Sequence, residues 1–302
     1  MPCFCSTSLC VLPAEPADML ACWELACGGS AMGLMLDARL GHQQQDELLR
    51  LARTRGVECI ALAHPRSGPP GLPAASAASL DRDEQRAARQ QLVMTLQRAH
   101  RHGVGRVELG PTLLELSISR GALAGQFARG MDLQQMEPER AARAGGALDA
   151  LCLVLDPALE QVSRLGGELL LPVPAPWPHQ VPGPGDVQQL RGIFAGSPLR
   201  ISLALDWWHV ARQLAPQAVE LELGGVALVR AADASGLVTM LPPGTGELDW
   251  QEAGRLVQRA SRPVDGPDMP WVLTLDARLQ VSPTEVALGA ARMSEIREFR
   301  AG

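Results

Sequence analysis

Residues 200–231 read RISLALDWWHVARQLAPQAVELELGGVALVRA. Two short apolar runs, at 200–206 and 226–231, are aliphatic and too short for core helices, so both predict strands. The alternation continues in both directions. Strands are predicted at 2–9, 32–37 (MGLMLD), 57–63 (VECIALA), 104–109 (VGRVEL), 168–172 (ELLLP) and 271–276 (WVLTLD). Helical stretches fall between them, at 15–28, 43–55, 81–102, 138–165, 186–195, 249–262 and 282–299. In 43–55, Leu48, Leu49, Leu51 and Ala52 share one face, and Gly56 ends the pattern. Asp81 is a candidate N-cap, with Glu84 in the capping-box position. Pro157 predicts a kink or break within 138–165, with a strand at 151–155 as the rival reading. Residues 112–130 predict no regular element.

Strands that alternate with helices predict a parallel sheet with crossover helices. Eight of them in 302 residues predict a (β/α)8 TIM barrel, a single domain over 1–302, with a doubly wound sheet as the alternative. The long loops 64–80, 172–185 and 232–248 all leave strand C-termini, the face that carries active sites in such barrels.

Composition narrows the function classes. Hydrophobic residues make up 46% and charged residues 20%, with mean hydropathy +0.03, which predicts a globular core. The net charge is −6 and no Arg-rich run occurs, which argues against a nucleic-acid partner. No uncharged apolar run approaches the roughly 18 residues of a membrane span. The first residues, MPCFCSTSLC, lack the basic start and apolar core of a secretion signal. With no such signal, the seven cysteines read as reduced thiols and the expected compartment is the cytoplasm. Cys3-x-Cys5 has no second close pair to complete a zinc site. The chain contains no Lys, Asn or Tyr, which removes Lys and Tyr from the possible catalysts.

Several polar residues sit where predicted strands end. Asp206 and His209, three apart, can share one mouth as metal ligands or as a carboxylate–imidazole pair; equally, Asp206 can open the next helix with His209 in its first turn. Arg230 lies near the end of one predicted strand and Asp233 just after it, Asp276 ends another, His64 ends a third and Glu108 lies in a fourth. The loop LPPGTGELDW, 241–250, has glycines that admit close backbone approach to a ligand and a cap residue at Asp249. Trp177, Trp207, Trp208, Trp250 and Trp271 fall near the same face, where they line a sugar site or pack barrel against helix.

The order of these pieces resembles the xylose-isomerase-like barrel superfamily of sugar isomerases, epimerases and apurinic endonucleases. RISLALDWWH is similar to its strand ending in Asp-x-x-His, and VALVRAADASG with LPPGTGELDW to its next strand and glycine loop. PGTGE resembles the hydroxypyruvate isomerase branch, QRAHRHGVGRVELGP the helix before strand four, and RLGGELLLP strand five. The resemblance implies a sugar, sugar phosphate or hydroxy-keto acid isomerase or epimerase that works by proton transfer. It also implies one divalent metal (Mn, Mg, Co or Zn) on a Glu, an Asp, a His and a second Glu. Carried over by position, those ligands fall on Pro172, Asp206, Arg230 and Asp276, with His209 as a neighbouring contact. Pro172 cannot ligate, Arg230 is cationic, and Asp276 is one methylene short. The metal candidates are therefore Asp206 and Asp276. Catalytic candidates are His209, Asp233 and Glu108, and substrate-binding candidates are His64, Arg230, Trp208 and Glu247. Either further residues such as Glu115 and His179 rebuild the site for a sugar-like ligand, or the barrel is metal-free, with or without catalysis, and binds a small anionic ligand or a partner. Barrels of this size often associate, so an oligomer is compatible with the sequence.

Overall fold

The computed structural model describes residues 4–6, 16–27, 33–65, 75–110, 112–127, 129, 133–173, 178–214, 224–260, 269–276 and 282–298. Eight parallel strands close into a barrel: β1 Phe4–Ser6, β2 Gly33–Leu36, β3 Glu58–Ala63, β4 Arg106–Glu108, β5 Glu168–Val173, β6 Leu199–Ala204, β7 Val226–Ala231 and β8 Trp271–Leu273. Strand neighbours follow chain order, and β8 closes on β1. The (β/α)8 architecture expected from the strand–helix alternation is the one observed. Cys3 and Trp177 lie outside the described residues.

Side-chain alternation along the strands separates two apolar layers. On β5, Leu169, Leu171 and Val173 face the surrounding helices and join the main core. Leu170 points into the lumen with Phe4, Met35, Ile60, Leu228 and Val272. The same period of two puts Pro172 above Leu170 and Arg230 above Leu228, in the lumen layer nearest the strand C-termini.

Helices α1 Pro16–Cys27, α2 His42–Thr54, α3 Arg82–Arg101, α4 Arg120–Phe127, α5 Glu137–Leu165, α6 Pro184–Ile193, α7 Leu205–Leu214, α8 Trp250–Ala260 and α9 Pro283–Glu298 are placed around the barrel. Asp81 caps α3 as expected, its Oδ1 accepting the N–H groups of Asp83 and Glu84 at 2.9 Å each. Glu84 does not reach back to Asp81. It accepts from Ser76 N–H and Ser79 Oγ and ties down the preceding loop.

Four local readings change. Helix α5 runs unbroken through Pro157, with no strand at 151–155. Its apolar face, including the fully buried Leu151, Leu155 and Ala158, packs along its length, and α5 lies against α3. That packing outweighs the roughly 3 kcal/mol of a mid-helix proline. Residues 112–130 contain α4 and a short strand, Thr112–Leu113, paired with Gln180–Val181. The loop after β7 folds into an antiparallel ribbon, Asp233–Ser235 with Val238–Leu241. Finally, the strand expected to reach Asp206 stops at Ala204, and Asp206 lies in the first turn of α7, the helix-opening reading of its two.

Candidate active site at the barrel mouth

Glu108 ends β4 and Arg230 lies next to last in β7. These strands are not neighbours, since β5 and β6 stand between them. A contact between the two side chains therefore crosses the lumen. Arg230 Nη1 lies 3.4 Å from Glu108 Oε1, with side-chain exposures of only 11% and 7%. The guanidinium also stands over the Trp207 ring, 5.1 Å from its centroid. Two polar atoms of this pair, Glu108 Oε2 and Arg230 Nε, are buried without a hydrogen-bond partner in the protein. Buried polar atoms without a protein partner call for one, and here two of them belong to a single pair facing across the lumen.

Asp206 sits beside the pair and is buried. Its Oδ2 accepts the Met240 N–H at 3.1 Å. Burial pushes its carboxyl up from the ordinary range, against the pull of Arg230 and of the Trp207 and Met240 N–H groups. Met240 in turn accepts the Asp276 N–H at 3.1 Å, so one ribbon residue links both metal candidates.

His209, one turn after Asp206 on α7, stands on the rim. Its Nε2 lies 2.8 Å from Gln213 Nε2 and 3.8 Å from Glu247 Oε2. Glu247 also accepts from Ser235 Oγ at 2.8 Å and from Gly236 N–H; with His209 nearby, these contacts hold its carboxyl below the usual range.

Three sequence candidates turn away from the lumen. Asp233 is fully buried and accepts four N–H groups of its own loop: Ala234 and Leu248 on Oδ1, Gly244 and Trp250 Nε1 on Oδ2, at 2.8–3.2 Å. It organises the glycine loop. Trp208 is a core residue, 4% exposed, beneath Arg212. The aromatic at the mouth is Trp207. Helical phase could have separated them, because Trp208 follows the buried Leu205 by three residues and Trp207 does not. His64 donates its backbone N–H to Glu108 O at 2.7 Å, but its Nδ1 meets Thr95 Oγ1 on α3 at 2.9 Å.

Behind His64 the sequence reading missed a polar cluster. Arg98, 4% exposed on α3, contacts His42 Nδ1 and Gln45 Oε1 on α2 and lies 3.3 Å from Asp46 Oδ1. Gln45 donates to Ala63 O at 2.9 Å and Asp37 O at 3.3 Å, binding α2 to the ends of β2 and β3. These residues are far apart in sequence, and nothing in their spacing announces the contact. His179 and Glu115 are also elsewhere: His179 Nε2 meets Ile118 O at 2.7 Å, and Glu115 O accepts from Arg143.

The donor set does not fit the divalent metal that the resemblance implies. Pro172 stands at a lumen position where a carboxylate ligand would be needed. Arg230 puts a fixed cation beside Asp206 and already faces Glu108. Among the described residues, no three His, Cys, Asp or Glu side chains gather in a group able to hold an ion. Nor is any described helix long and apolar enough to cross a membrane.

No known family model matches the chain, and no curated protein matches it. Solved structures do. A D-tagatose 3-epimerase-like protein superposes with TM-score 0.65 at 12% identity, over 99% of this chain and 98% of its own. D-Psicose 3-epimerase from Clostridium cellulolyticum H10, determined with D-tagatose, gives 0.63 at 13%, over 99% of both chains. IolI protein with a bound zinc atom gives 0.67 at 11%, over 98% of both. At these identities the likeness is one of fold.

Proposed function

From a chain with the fold of the xylose-isomerase-like barrels, we propose a metal-independent isomerase or epimerase of a small, uncharged, sugar-like hydroxy-carbonyl compound. The observation that carries this reading is the Glu108–Arg230 pair across the lumen, with Glu108 Oε2 and Arg230 Nε buried and unpartnered. A substrate hydroxyl placed between them, accepting from Arg230 Nε–H and donating to Glu108 Oε2, satisfies both atoms. The charges of the pair cancel, and Asp206 is biased toward its neutral form, so a polyol suits the mouth better than a phosphate.

In this reading the Arg230 guanidinium holds the substrate carbonyl oxygen and the negative charge that develops on it. Glu108 removes the proton from the adjacent carbon. The C–H electron pair becomes the C=C bond of an enediol(ate), and the carbonyl π pair moves to oxygen. Glu108 then returns the proton to the former carbonyl carbon while the hydroxyl proton passes from the oxygen of the deprotonated carbon to the former carbonyl oxygen, so the carbonyl reforms one carbon over, giving isomerisation. Delivery of a proton by Asp206 to the opposite face of the original carbon gives epimerisation. Trp207 supplies a flat face for the sugar C–H groups. His209 and Glu247 contact the outer hydroxyls, Asp276 supports the ribbon, and His64 and Asp233 position the mouth from behind.

A second reading, a binding barrel without chemistry, draws on the engagement of Arg230 with Glu108. The experiment is proton exchange by NMR: chelator-treated protein with a panel of short ketoses and aldoses in D2O. Deuterium incorporation at the carbon beside the carbonyl, lost in Glu108→Gln and unchanged by chelator, is expected. Ligand line-broadening with no exchange selects the binding barrel. Exchange that chelator removes and Mn, Mg, Co or Zn restores overturns metal independence.

A further inference from the structure

A cavity of about 620 Å3, lined by none of the mouth residues Glu108, Asp206, Trp207 and Arg230, lies between the glycine loop, α8 and Arg292 of α9. Its size is within the range of small-molecule sites, roughly 300–1,000 Å3. Its chemistry differs from that of the mouth. Arg255 and Arg292 supply two guanidinium groups, Gln251 and Gln258 supply neutral amides, and Trp250 supplies an aromatic wall. Arg255 Nε leans on Gln251 O at 3.4 Å, one turn back on α8. Arg292 comes close enough to the loop that a Cβ on Gly244 would stand 3.6 Å from its Nε.

The only acid lining the cavity among the described residues is Asp233, whose carboxylate is already engaged by four N–H groups. Two of these donors, Gly244 N–H and Trp250 Nε1, belong to the cavity wall itself. The wall is therefore preformed by a buried anchor, which lowers the ordering cost of binding. Gly246 completes the fit, because a Cβ there would lie 2.4 Å from Ala234 O. Planar guanidinium forks beside amide donors match the oxygens of phosphate or carboxylate groups.

We infer that this cavity binds a small organic oxyanion, a phosphate- or carboxylate-bearing metabolite whose body lies against Trp250. The site is separate from the mouth, and the inference does not depend on the reading of Glu108 and Arg230. It is tested by isothermal titration of the full chain with inorganic pyrophosphate and with citrate, glucose serving as the neutral control. Saturable binding of pyrophosphate, of citrate or of both is expected, the preferred one naming the anion class. Arg255→Ala with Arg292→Ala should weaken it at least tenfold, and Glu108→Gln should leave it unchanged. Both arginines are exposed, so the double variant should keep its far-UV circular dichroism. If that variant does not fold, Gln258→Glu, an added anion on the same wall, gives the same test. No binding of either anion at millimolar concentration overturns the inference. So does binding that survives the cavity variants, or binding that disappears in Glu108→Gln.

Discussion

Met240 donates its N–H to Asp206 Oδ2 at 3.1 Å while its own backbone sits at φ 62°, the left-handed region that few side chains other than glycine occupy. A ribbon outside the barrel is thus held in an unfavourable backbone state, with a buried acid of the mouth as its partner. Strain of this kind, about 1–3 kcal/mol, persists where surrounding contacts over-determine it. Here those contacts are the Asp206 carboxyl on one side and the Asp276 N–H on the other.

Ionisation of Asp206 should cost the fold stability. Burial raises its folded pKa above the unfolded value of 3.8, so the folded state binds more protons above that value and stability falls as pH rises. Asp206→Asn keeps an acceptor for Met240 without the charge. Its melting temperature relative to the parent chain should be higher at pH 8 than at pH 4. An unchanged difference across that range would mean that the carboxyl does not titrate abnormally.

The Glu108–Arg230 pair should be strongly coupled. Glu108→Ala leaves Arg230 buried without its anion, a loss on the order of 3–5 kcal/mol, whereas replacing both partners by apolar residues is often near neutral. Urea unfolding of Glu108→Ala, Arg230→Leu and the double variant should show the double variant more stable than the sum of the single losses. Simple additivity would mean that the pair does not interact.

The cluster behind β3 should make the fold acid-sensitive. His64 is lowered to about 4 by burial first and then by His42 and Arg98, and His42 is lowered to about 4 by burial and Arg98. Both are neutral in the native state, so the unfolded chain binds the extra protons between about 6.5 and 4. The stability they contribute is complete above 6.5 and is lost as pH falls through that window. Thermal melts of His64→Gln should show a shallower decline between pH 6.5 and 4.5 than the parent chain. An equal slope would place the sensitivity elsewhere.

Two glycines should respond in opposite directions. Gly246→Ala forces a Cβ to within 2.4 Å of Ala234 O and Asp233 Oδ1, so a loss of about 2 kcal/mol or more is expected. Gly145, within α5, has nothing within 4 Å of an added Cβ, and Gly145→Ala should gain up to about 1 kcal/mol. Chemical denaturation reads both changes. A neutral Gly246→Ala would show that the loop can move away from Asp233.

The barrel was legible in the sequence because its signal is local. Runs such as ELLLP and VALVRA have the length, apolar content and glycine or proline flanks of buried strands, and the helical segments between them carry their own caps and periodicity. Pro172 and Arg230 were placed at the mouth only through the resemblance to the xylose-isomerase-like barrels, and the alternation along β5 and β7 puts both at lumen positions. Non-local partnerships were not legible. Asp233 read as a catalytic acid, and only the return of the 244–250 loop makes it a loop anchor. Trp207 and Trp208 are adjacent in sequence, and the rotation of α7 decides which ring meets Arg230 and which enters the core. Glu108 and Arg230 are 122 residues apart, and a distance across a lumen has no trace in sequence spacing. Composition and periodicity report what each segment must bury. Which charges then face one another depends on closing the barrel, because closure alone brings non-neighbouring strands within reach.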